Sequence, residues 1–148
     1  MTLSRLDLDG TGSPAGLVTR ILKLQPSMPI PVPLEELCAA LDISAIRTLT
    51  TEGFEAALIT DSVKSQGIIL VAEGRSRQRR RFSIAHELGH FLIPTHRADQ
   101  GGFQCSSRDL VIAKSASADT RTRIEIEANR FASLLLVPPP KLRADLSA

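Results

Sequence analysis

Apolar positions in the first third of the chain follow a helical rhythm. From Pro14 onward Leu17, Val18, Ile21, Leu22 and Leu24 recur three and four apart, which predicts a helix that stops near Pro26. Pro29, Pro31 and Pro33 predict a stiff connector, and Leu34, Leu37, Cys38 and Leu41 line one face of a second helix beginning at about Pro33, a residue suited to a first turn. After Asp42 the period shortens. Ile43 to Leu49 reads as weakly extended, Phe54 to Thr60 and Gly67 to Ala72 as better strands, and the polar loop between the latter two predicts a hairpin, one strand of which could offer an edge to a substrate backbone. Phe82 to Ile93 returns to helical spacing. Residues 94 to 118 read as a long irregular loop with a short apolar patch at Leu110 to Ala113, which would frame a cleft. A last helix is expected from Asp119 or Thr120 to Leu136, with Ile124, Ala128, Phe131, Ala132 and Leu135 as its stripe and Pro138 to Pro140 ending it.

These elements predict an α+β fold in one domain over residues 14–140, preceded by a polar, flexible N-terminus at 1–13 and followed by a tail at 141–148 that ends either a minimal or a truncated domain. Composition changes this picture little. The chain has 148 residues, 43% hydrophobic and 23% charged, with a formal charge of +2, too small to point to direct nucleic-acid binding. The arginine-rich run from Gly74 to Arg81 reads first as a solvated loop leading into the next helix, and otherwise as a contact for an acidic protein segment. Cys38 and Cys105 lack metal-type spacing and fit a reducing cytoplasm. The N-terminus has no basic start followed by an apolar core, and no apolar run approaches 18 residues, so neither secretion nor membrane insertion is expected.

The chemistry concentrates in His86-Glu87-Leu88-Gly89-His90. Residues four apart stack on one helical face, so His86 and His90 can present two imidazole nitrogens to a single metal ion. Glu87 is then placed to act on water beside the metal, because a divalent ion lowers the pKa of bound water from nearly 16 toward about 7 and a neighbouring carboxylate can take its proton. The flanking Phe82, Ala85, Leu88, Phe91 and Leu92 make the helix apolar, and burying two imidazoles and a carboxylate in it calls for the compensation a metal supplies. Gly89, a poor helix former, is explained by close backbone packing. Zinc is the expected ion, with manganese or iron compatible with the same ligand types.

A catalytic zinc site commonly takes three protein ligands. His96 has the spacing of the longer metzincin pattern, but Ile93 stands where that pattern needs glycine, Pro94 follows it, and no methionine occurs after Met28 for a later Met-turn. Glu125 is the better candidate. Asn129 lies one turn beyond it on the same helical side and could orient a ligand histidine, while Glu127 points away and serves as the fallback ligand.

The segment Phe82 to His90, followed by Glu125-Ile126-Glu127-Ala128-Asn129-Arg130-Phe131-Ala132 and Leu134-Leu135-Leu136-Val137-Pro138, resembles the ImmA/IrrE family of metallo-endopeptidases over about residues 15 to 140. The resemblance implies a zincin-like fold of gluzincin type, with a small, mainly antiparallel sheet against the metal helix and the third ligand, Glu125, on a second helix. It also implies a bacterial intracellular protease whose substrate is a helix-turn-helix transcriptional repressor. The chain has no tyrosine to donate to an oxyanion, which leaves His96 or an arginine for that role. The rival expectation is a metal-containing regulatory or antitoxin-like binding module with little hydrolysis. An intact Glu87 argues against it.

Overall fold

The computed structural model describes residues 1–50, 52–97, 103–105 and 118–137. A 3-10 turn at Arg5–Leu8 leads into helix α1, Pro14–Leu24, and helix α2, Leu34–Ala40. Strands β1, Ile43–Leu49, β2, Ala56–Thr60, and β3, Gly67–Ala72, follow; helix α3, Arg77–Leu92, strand β4, Phe103–Cys105, and helix α4, Ala118–Leu136, complete the order. Among the described residues, no helix is long and apolar enough to cross a membrane.

The sheet is four-stranded in the order β1-β3-β2-β4. β2 and β3 form the expected antiparallel hairpin, pairing Ala56 with Val71 and Thr60 with Gly67, and β4 adds antiparallel to β2. β1 runs parallel to β3, so the sheet is mixed. Strand alternation then sorts the side chains. Ala56, Leu58, Ile69 and Val71 enter the main core with Ile84, Leu88 and Phe91 of α3, whereas Phe54, Ala57 and Ala72 form a small cluster of their own with Leu49 and Leu70 against it. α1 contributes Leu17, Val18, Ile21 and Leu22 to the main core, and α4 contributes Phe131, Ala132 and Leu135.

Three sequence expectations change. Residues 1–13, read as a flexible lead-in, bury Leu3 and Leu8 in the main core. Arg5 fixes them there: its Nε donates to Asp42 at 2.8 Å, its Nη2 to the Ser65 carbonyl at 2.8 Å, and its guanidinium lies 4.4 Å from the centre of the Phe91 ring. The arginine run is exposed as far as Arg79, as a solvated segment would be, but it is not a loop throughout. Ser76 caps α3 by accepting from Arg79 N, so Arg77, Arg79, Arg80 and Arg81 form its first turns. Arg75 and Arg79 both pair with Glu55, which is buried, because a carboxylate out of water needs such partners; Arg80 donates to Thr48 and Arg81 to the Val32 carbonyl. Third, the stretch read as irregular contains β4. Leu110 to Ala113, the proline stop after α4 and the tail at 141–148 lie outside the described residues.

Candidate metal centre

α3 and α4 pack face to face, and the closeness of their backbones is set by Gly89. A Cβ at that position would stand 3.1 to 3.3 Å from Phe131, whose ring is fully buried. The expectation of close packing at Gly89 therefore has a named partner. With the helices this near, side chains from α4 reach across the histidines of α3.

His86 and His90, one turn apart, turn their Nε2 atoms toward each other at 3.1 Å. Glu125 closes the figure, with one carboxylate oxygen 3.0 Å from Nε2 of His86 and the other 3.1 Å from Nε2 of His90. These groups form a set able to hold a metal ion. The dimensions fit: donors bound at about 2.0–2.1 Å in a tetrahedron lie about 3.3 Å apart, close to the separation of the two Nε2 atoms and to that of each from the Glu125 oxygen it meets. The chemistry of the set, two imidazoles and a carboxylate, suits a divalent ion as well. Glu127, the fallback ligand, is not part of this set.

The electrostatics point the same way. Burial disfavours charge on His86, yet the hydrogen bond with Glu125 and the Glu87 and Glu125 carboxylates outweigh it and hold its pKa above the usual value. Burial pushes His90 down. Burial also pushes Glu125 up, but the hydrogen bonds with the two histidines prevail and hold it below the usual carboxylate range. Glu87 is fully buried beside His86. Two carboxylates around two imidazoles favour a cation at their centre.

Behind the donors each histidine has a further partner. Nδ1 of His86 lies 2.7 Å from Oδ1 of Asn129. Nδ1 of His90 lies 3.0 Å from Nδ1 of His96, and Nε2 of His96 lies 3.2 Å from Oε1 of Glu127. His96 is fully buried, and burial, then the neighbouring His90, lowers its pKa to about 4. The structure thus places His96 behind His90, outside the donor set. The reason is the turn after α3, closed by His96 N donating to the Ile93 carbonyl, which carries the ring back against the helix.

Lys64 completes the surroundings and had no signal in the sequence, being a single lysine in a polar loop. Its Nζ donates to the carbonyls of His90 at 2.7 Å and Ile93 at 3.1 Å, capping the C-terminal end of α3. Burial, then the charge of Arg5, lowers its pKa to about 8.

A model of the IrrE N-terminal-like domain, Peptidase_M78, matches residues 38–148, a span that includes all the residues of this centre. No curated protein matches the chain.

Proposed function

The chain belongs to the ImmA/IrrE family, Peptidase_M78, and from that membership we propose that it is a zinc-dependent endopeptidase acting in the bacterial cytoplasm on a helix-turn-helix transcriptional repressor. The observation that carries the reading is the triangle of His86, His90 and Glu125 with edges of 3.0 to 3.1 Å. The family supports the peptidase reading, and the resemblance of the two motifs to repressor-cleaving relatives supports the substrate class. A mixed sheet, a helix bearing the two histidines and a second helix bearing the carboxylate support a zincin-like arrangement of gluzincin type.

His86, His90 and Glu125 would hold the ion, which when bound supplies a Lewis acid for the scissile carbonyl and acidifies the attacking water. Glu87 follows His86 directly on α3, in a fully buried position. Its carboxylate takes the proton of the water as the C–O bond forms, then gives that proton to the amine nitrogen as the C–N bond breaks. Glu125 keeps a separate role, since its two oxygens are directed at the two Nε2 atoms. Asn129 holds the His86 ring from behind.

The test compares wild type with Glu87→Gln on a purified helix-turn-helix repressor. The variant should retain about one zinc per chain by elemental analysis and lose about 10²- to 10⁴-fold in turnover. Equal cleavage by the variant would sink the role of Glu87. A wild type that takes up no metal after reconstitution would sink the metallopeptidase reading and favour a binding module.

A further inference from the structure

We propose that Glu127 and His96 act together as a positioning pair that fixes the tautomer of His90, so that its Nε2 lone pair is the one offered to the cation. This rests on the metal-centre reading above and extends it to two residues outside the donor set.

The argument is one of proton counting. The two Nδ1 atoms of His90 and His96 face each other at 3.0 Å, and a contact of this kind holds one hydrogen, on one ring or the other. A carboxylate accepts, so Glu127 at 3.2 Å calls for the hydrogen of a neutral His96 to sit on Nε2. That leaves Nδ1 of His96 as an acceptor. His90 must then carry its own hydrogen on Nδ1 and donate it to His96; Glu125, 3.1 Å from Nε2, calls for a hydrogen there as well, so the Nδ1 link is what leaves Nε2 bare once a cation takes the place of that contact. Moving the hydrogen at either link reverses the sequence: a His96 protonated on Nδ1 would call for a bare Nδ1 on His90, and Nε2 of His90 would be blocked.

Burial makes the arrangement strict. His90 and His96 are both fully buried, so water does not compete for either ring nitrogen. On the other ligand the same task is done by a simpler part, because Oδ1 of Asn129 can only accept from Nδ1 of His86. One stretch of α4 therefore serves both histidines: Glu125 meets their Nε2 atoms, Asn129 backs His86 directly, and Glu127 backs His90 through His96. Glu127 can do so although it sits about 200° around the helix from Glu125, because the turn at Ile93 and Pro94 carries His96 round to it.

The test reads tautomers and metal affinity rather than turnover. Long-range ¹H–¹⁵N correlation spectra should give His96 with hydrogen on Nε2 in both the metal-free and the zinc-loaded chain, and His90 with hydrogen on Nδ1 in the zinc-loaded chain, where Glu125 no longer competes for the hydrogen of its Nε2. Glu127→Ala should mix the His96 tautomers and weaken zinc binding by about 10-fold or more in competition with a chelator. Glu127→Gln keeps an acceptor oxygen and should restore most of that affinity, whereas Glu127→Met, of similar length but without a carbonyl or carboxylate acceptor, should not, a split that a purely structural role would not give. His96 with hydrogen on Nδ1 in wild type, or unchanged tautomers in Glu127→Ala, would overturn the proposal. Should wild type bind no zinc, the metal-centre reading fails, and the spectra of the metal-free chain still decide whether Glu127 sets the tautomer of His96.

Discussion

Asn129 Oδ1 lies 2.7 Å from Nδ1 of His86, on the side of the ring opposite the edge that meets Glu125. One turn of α4 therefore grips both nitrogens of a single imidazole. An amide oxygen has no proton to give, so His86 must donate from Nδ1, which leaves Nε2 to face Glu125 and any bound ion. Asn129→Ala should weaken zinc binding by about 10- to 100-fold, as the loss of a hydrogen-bond partner behind a metal ligand generally does. Asn129→Asp keeps the acceptor and should bind zinc close to wild type. Chelator competition on the two variants checks this, and an unchanged affinity in Asn129→Ala would remove Asn129 from the site.

Cys38 of α2 supplies a pH dependence that is independent of the metal centre. Burial, and secondarily the Glu35 carboxylate, raises its thiol from the usual 9.0 to about 12. The folded state thus resists losing this proton while the unfolded chain loses it near the ordinary value. The contribution to stability is complete below pH 9 and falls as pH rises from there through about 12. By pH 10 the loss should be about 1.4 kcal/mol, measured as the change in urea unfolding free energy of wild type that Cys38→Ala does not share. Parallel curves for the two proteins between pH 8 and about 10 would refute it.

The parts of the site readable from sequence were those built on spacing within one helix. His86 with His90, and Glu125 with Asn129, are each four apart, and the helical period alone puts each pair on one side. The meeting of His96 with Glu127 depends on where a turn after one helix lies against another, and no local pattern encodes that distance. The parallel partnership of β1 with β3 was hidden for a related reason, since alternation of buried residues is the same in either strand direction. A run of arginines likewise looks alike whether solvated or paired, and only the fold brought Glu55 beneath Arg75 and Arg79. At the N-terminus Leu3 and Leu8 are too few to form a period, so their burial followed from contacts that Arg5 makes with residues far along the chain.

Gly89 connects packing to the metal centre and gives the sharpest mutational test of the fold. In an exposed helix, Gly→Ala stabilises by about 1 kcal/mol through backbone entropy. Here the added methyl would press on Phe131 at 3.1 to 3.3 Å, and that ring, fully buried, has nowhere to retreat without moving α4. Overpacking of this kind costs about 1–3 kcal/mol, enough to cancel or exceed the gain. Any outward shift of α4 also draws Glu125 away from the Nε2 atoms of His86 and His90. Gly89→Ala should therefore lower both the melting temperature and zinc affinity, whereas Gly89→Ala combined with Phe131→Leu, which opens space at the contact, should recover part of the affinity. Calorimetry and chelator competition on the single and double variants measure the two effects. A single variant that is more stable than wild type and binds zinc equally would mean that the Gly89 contact does not set the spacing of the two helices.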